Sequence, residues 1–111
     1  MEKRKHTRYN STNLLSYACV NAENTVVQQG MGKTLDVSEG GILLETHVPI
    51  DPNHRVHLDI GFRDDVVEIV GEVAYTRTGK TGRAESGIRF GELSDRDHEI
   101  LLKFVEGFQK G

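Results

Sequence analysis

The chain is poor in the residues on which much protein chemistry depends. It has a single cysteine, Cys19, no tryptophan, and only three tyrosines and four phenylalanines in 111 residues. One cysteine excludes an internal disulfide and fits a reducing compartment. It reads as a small core residue, because no neighbouring histidine or helix terminus would activate it. So few aromatics weigh against the stacking platforms that bind single-stranded nucleic acid. No apolar run approaches membrane length, and Met1-Glu2-Lys3-Arg4-Lys5-His6 lacks the apolar stretch of a secretion signal. A soluble, cytoplasmic protein without membrane insertion is therefore expected. Neither Cys-x-x-Cys nor His-Glu-x-x-His occurs, and His54 and His57, three apart, would face opposite ways on a strand. With no recognisable triad, metal cluster or carboxylate pair, neither enzyme activity nor a metal or other cofactor is expected.

What is present points to a globular domain. A composition 36% hydrophobic and 28% charged supports one modest core and argues against disorder. The net charge of −3 is unevenly spread. Lys3, Arg4, Lys5 and Arg8 crowd the first eight residues, opposed only by Glu2, while positions 9 to 111 hold 10 basic and 16 acidic residues. A body this acidic argues against long nucleic acid, whose binding needs many phosphate contacts. A short basic arm still suits a small anion.

The polar stretch Tyr9-Asn10-Ser11-Thr12-Asn13 has no apolar period and reads as a lead-in. From Leu14 onward, short strand-like segments follow one another, separated by turn residues. Leu15, Tyr17 and Cys19 alternate with Leu14, Ser16 and Ala18. A second segment, about Thr25 to Val37, is interrupted by Gly30 and Gly32, where a bulge is expected. Ile42, Leu44 and Thr46 share a face after Gly40-Gly41. The clearest strand runs from Arg55 to Phe62, with Val56, Leu58, Ile60 and Phe62 on one side. Asp64-Asp65 turns the chain into Val66 to Arg77, and a last strand carries Ala84, Ser86, Ile88 and Phe90 on one face. Six short strands with tight turns predict an all-β closed barrel or sandwich. The period then changes. Ser94-Asp95-Arg96-Asp97 resembles a capping box, and Ile100, Leu101, Phe104, Val105 and Phe108 form a stripe at helical spacing. An amphipathic helix over 94–109 should bury that stripe against the barrel.

Two motifs carry candidate chemistry. Asp36 and Ser38, two apart at a strand end, should leave the same face, and Gly40-Gly41 would permit positive φ and close approach of a ligand. A carboxylate accepts from the N1 and N2 hydrogens of guanine; a serine hydroxyl donates to a phosphate or base oxygen. Alone, these are ordinary hairpin residues. Arg4 and Arg8 would lie roughly 13 Å apart in an extended arm. An arginine fork binds phosphate or the guanine O6/N7 edge bidentately and stacks on a purine. Alone, they are a basic tail. A third pattern, Ala74 to Gly79-Lys80-Thr81, matches a relaxed phosphate-binding loop, but a strand-like segment follows it where a helix is required, so a hairpin turn is expected.

Taken together, the two motifs resemble those of the PilZ family, bacterial receptors for cyclic di-GMP, whose signature is R-x-x-x-R followed by [D/N]-x-S-x-x-G. Here these read Arg4-Lys-His-Thr-Arg8 and Asp36-Val-Ser38-Glu-Gly-Gly41. Gly71-Glu-Val73, Gly87-Ile-Arg-Phe90 and the terminal helix also fall in family-like order. The resemblance implies a six-stranded antiparallel barrel (14–91) with a flexible basic N-terminal arm (1–13) and a C-terminal helix, all one domain over 1–111. It further implies that Arg4 and Arg8 hold guanine and phosphate, that Asp36 and Ser38 hydrogen-bond the ligand, and that Gly41 allows the turn beneath it. Lys3 and Lys5 flank the first arginine; in the family a basic residue just before that arginine accompanies two stacked ligands, and Lys3 occupies that place. The implied function is a non-catalytic cyclic di-GMP receptor whose ligand orders the arm and changes the surface shown to a downstream protein. The alternative is a protein-binding adaptor of the same fold with little or no ligand affinity.

Overall fold

A computed structural model describes residues 14–110. Six strands form in order: β1 (Leu14–Val20), β2 (Val26–Val37), β3 (Gly41–Thr46), β4 (Arg55–Phe62), β5 (Asp65–Thr78) and β6 (Ala84–Phe90). One helix, α1 (Asp95–Lys110), follows. The strands close into a barrel in the order β1-β2-β3-β6-β5-β4, and every neighbouring pair is antiparallel. Of the two all-β architectures left open by the strand pattern, the barrel is the one formed.

The alternating residues face inward as their spacing requires. Leu15, Tyr17 and Cys19 from β1, Ile42 and Leu44 from β3, and Val56, Leu58 and Ile60 from β4 are buried in one cluster with Val67, Ile69 and Ile88. The side chain of Phe62 lies outside the described set. Burial of Cys19, reinforced by the charge of Asp51, pushes its thiol pKa upward, as a core position dictates.

The helix begins where the capping pattern places it. The backbone N–H of Asp97 donates to Ser94 Oγ at 3.1 Å, and Asp95 and Asp97 put negative charge in the first turn. Ile100, Leu101, Phe104 and Val105 are buried, and Phe108 packs against the same cluster. The stripe lies against β4 and β5. No helix among the described residues is long and apolar enough to cross a membrane.

The pattern resembling a phosphate-binding loop is a hairpin. β5 continues through Thr78, Gly79 N–H donates to Arg83 C=O at 2.9 Å, and Gly82 turns at φ 85° before β6.

The bulge expected at Gly30 and Gly32 is not there. Both sit in regular register, opposite Tyr17 and Leu15. Gly32 is required for space: a Cβ on it would lie 2.7 Å from Leu44 Cγ. The extra residues fall instead at Val27 against β1, at Leu35 against β3 and at Ala74 against β6. None of the three is a glycine, so composition gave no warning of them.

Candidate functional site

The β2–β3 hairpin builds the site from its own backbone. Ser38 N–H donates to Gly41 C=O at 2.9 Å and closes the loop. Gly40 N–H donates to Ser38 Oγ at 3.3 Å, which leaves the hydroxyl hydrogen to point elsewhere. Val37 N–H donates to Asp36 Oδ1 at 3.0 Å and fixes the carboxylate from one side. Phe90 N–H donates to Gly40 C=O at 2.9 Å and ties the loop to β6.

Positive φ, expected of Gly40-Gly41, is absent; among the described glycines it occurs at Gly82 alone. The need for glycine at position 41 is steric. A Cβ there would meet Ile88 C=O at 2.5 Å, because β3 and β6 come close at this pair. At Gly40 a Cβ would meet nothing within 4 Å.

Cross-strand register then assembles the site from four strands. Asp36 pairs with Leu43, Leu43 with Gly87, and Gly87 with Tyr75. Directly paired residues share a face, so these four form one outward row across β2, β3, β6 and β5. The adjacent row, Val37, Ile42, Ile88 and Val73, points inward. One step further, Gly41, Arg89 and Glu72 form a second outward row, with Ser38 joined to its end through Gly41. The bulges at Leu35 and Ala74 make this possible. Thr34 and Val73 face inward, and strict alternation would carry Asp36 and Tyr75 inward with them; each extra residue resets the alternation.

Between these rows lies a shallow, open groove of about 320 Å³, lined by Asp36, Ser38, Gly41, Tyr75, Gly87 and Arg89 among others. Tyr75 lies across Gly87, whose missing side chain is what leaves room for the ring. Tyr75 is 48% exposed as a residue, so its ring borders the groove rather than the core. Arg77 sits 5.8 Å from its centroid. Among the described residues Arg89 forms an ion pair with Glu72, at 3.6 Å and on the surface, a contact weak enough to yield to a better anion. The groove thus offers a carboxylate acceptor, a hydroxyl donor, a guanidinium and an aromatic face.

The hairpin brings Asp36, Ser38 and Gly41 together as the sequence predicts. Arg4 and Arg8, with Lys3 and Lys5, lie outside the described residues. Tyr75, Gly87 and Arg89 are additions that sequence reasoning missed as site residues. Their positions are 39 to 53 residues from Asp36, and strand register joins them. The histidines stay separate: His54 faces Asp51 at 3.6 Å and His57 faces Glu68 at 3.4 Å. No group of three or more metal-ligating side chains gathers among the described residues.

Fold and groove define a small closed antiparallel barrel that presents a polar, aromatic-floored groove on its outer surface, with a helix against two of its strands. The chain belongs to the PilZ domain family, whose model matches residues 2–107. Solved structures with the same fold include the PilZ domain of CeSA from a cellulose-synthesizing bacterium, at 15% identity and TM-score 0.60, covering 86% of this chain and 93% of that one. The PilZ domain of YcgR from Escherichia coli, solved with c-di-GMP, aligns at 12% identity and TM-score 0.56, covering 86% of this chain and 82% of that one. MotI, an inhibitor of motility from Bacillus subtilis, aligns at 14% identity and TM-score 0.62 over 87% of this chain, which spans 47% of the length of MotI. No curated protein matches the sequence.

Proposed function

We propose that this chain is a non-catalytic receptor for cyclic di-GMP, bound on the outer face of the barrel. The observation that carries the reading is the outward convergence of Asp36, Ser38, Tyr75 and Arg89 on one groove, at the family's own motif. Asp36 would accept from a guanine edge, and Ser38 would donate to a phosphate or base oxygen. Tyr75 would stack on a base, and Arg89 would exchange Glu72 for a phosphate. Arg4 and Arg8 would supply the bidentate guanine and phosphate contacts from the preceding segment, with Lys3 and Lys5 adding charge. Lys3 also favours two stacked ligands per domain. In this reading residues 1–111 work as one domain in the cytoplasm, the ligand holds the arm against the barrel, and the altered surface is read by a downstream protein. Ordering of this kind converts ligand concentration into shape without bond chemistry.

Titration calorimetry with cyclic di-GMP tests the proposal. Micromolar or tighter binding is expected; Arg4→Ala and Arg8→Ala should each remove it, and Asp36→Ala should weaken it. A wild-type chain that evolves no heat at any practical concentration would sink the receptor reading and leave the adaptor.

A further inference from the structure

The barrel is closed, yet one of its strands outruns its neighbour. β2 spans Val26–Val37, but β3 pairs with it only from Lys33 to Val37. Residues 26–32 are therefore bonded to β1 on one side and, among the described residues, to no strand on the other. Natural edge strands are normally blunted with lysine, proline or an inward-pointing charge. This one carries none of these, since the sequence from Asn24 to Gly32 contains no charged residue and no proline; its one edge-blunting feature is the bulge at Val27, near the start of the segment, and residues 28–32 run in regular register. Three large apolar side chains on it remain about half exposed: Val26 at 50%, Val27 at 47% and Met31 at 57%. Val48, at 53%, lies beside them, its carbonyl taking a hydrogen bond from Gln28 Nε2.

We propose that this edge of β2 pairs antiparallel with the same edge of a second copy of the chain, giving a two-fold symmetric dimer with a sheet continuous across the interface. The second copy is favoured over an unrelated strand by the segment's self-complementarity. Residues directly opposite each other must share a face, so only registers in which the paired numbers sum to an even value are open. Centred on Gln29, the register sets Val27 of each copy against Met31 of the other, and Gln28 against Gly30. A centre at Gly30 would instead put Val27 against Lys33, and a centre at Gln28 would leave Met31 against Thr25. The Gln29 register joins apolar to apolar twice over and brings no like charges face to face. The segment itself carries no charge in a chain of net charge −3, so no like charges oppose its pairing. A two-fold interface uses the same patch on both molecules, as this segment does. The edge lies apart from the Asp36 groove, so the proposal stands whether or not that groove binds a nucleotide.

Sedimentation velocity on the full chain over a wide concentration range tests it. A monomer–dimer equilibrium is expected that persists at high salt, because no ion pair holds it. Val27→Glu and Met31→Lys should each shift the dissociation constant upward at least about tenfold, by placing a charge against an apolar partner. The double variant Val27→Glu/Met31→Lys should recover dimer, because each new glutamate then faces the other copy's lysine. Gln29→Cys should give a disulfide-linked dimer under mild oxidation, since Cα atoms directly opposite at the dyad lie roughly 4.5–5.5 Å apart. Circular dichroism on every variant separates lost pairing from lost fold. A wild-type chain that stays monomeric at several hundred micromolar, as an order of magnitude, overturns the proposal and leaves a different protein's strand as occupant of the edge. A dimer that survives both single substitutions, or is not recovered by the double, overturns it equally.

Discussion

Thr34 and Asp36 stand two residues apart on β2 and face opposite ways. Thr34 is 1% exposed inside the barrel, whereas Asp36 lies on the outer groove. The extra residue Leu35 separates them. Their substitutions should therefore have opposite consequences. Thr34 Oγ1 is buried with no hydrogen-bond partner among the described residues. Thr34→Val should raise stability by about 1 kcal/mol and leave ligand binding unchanged. Asp36→Val should change stability by less than about 0.5 kcal/mol. Its cost should fall on cyclic di-GMP affinity, a loss of roughly tenfold to a hundredfold for one charged hydrogen-bond acceptor. Urea unfolding and calorimetry on the same two variants separate the effects.

The two adjacent glycines of the loop should respond just as differently. Gly41→Ala drives a methyl group against Ile88 C=O and should cost about 1–3 kcal/mol while weakening the site. Gly40→Ala meets open space and should be neutral within about 0.5 kcal/mol. Equal destabilisation of both variants in thermal unfolding would show that turn conformation, and not the β3–β6 approach, governs this loop.

Tyr75 offers a test of the groove that needs no change in charge. Its ring lies on Gly87 with the Arg77 guanidinium 5.8 Å from its centroid, and a base that displaces Arg77 would stack there, so Tyr75→Ala should cost about 1–3 kcal/mol of ligand binding. Tyr75→Phe keeps the ring and should retain most of the affinity. If alanine and wild type bind alike, the aromatic floor plays no part in recognition.

Cys19 is fully buried, and its thiol is pushed upward in pKa by desolvation and by Asp51. The thiolate is the reactive form, so a raised pKa and burial act in the same direction. At pH 8 the native chain should react with a thiol reagent many times more slowly than the urea-unfolded chain. Labelling of the native chain at the unfolded rate would place Cys19 outside the core.

The helix should divide into a cap worth little and a stripe worth much. Ser94→Ala removes the hydroxyl that accepts from Asp97 N–H and should cost about 1 kcal/mol. Leu101→Ala empties a fully buried position between α1 and the barrel and should cost about 2–5 kcal/mol. Denaturant midpoints for the pair would establish whether α1 is integral to the core.

The elements were legible in the sequence because each rests on local periodicity. Val56, Leu58 and Ile60 alternate with polar residues, and a strand's pleat must then send them to one side. Ile100, Leu101, Phe104 and Val105 recur at helical spacing, and Ser94 supplies the start signal. The hairpin triad Asp36, Ser38 and Gly41 was legible for the same reason, since its members lie within six residues. Leu35 and Ala74 gave no such signal. A bulge is a mismatch between two strands, and nothing within either strand alone specifies where it falls.

The sequence by itself determined the inward faces, the helix and its cap, and the residue types of the hairpin, because each is a relation between near neighbours along one chain. Only the tertiary structure decided that Asp36 and Tyr75 point outward into one groove, that Gly41 is needed for the closeness of Ile88 and not for a turn angle, and that β2 outruns β3. Those are relations between strands far apart in sequence, set by register and barrel closure, and no periodicity within a single segment encodes them.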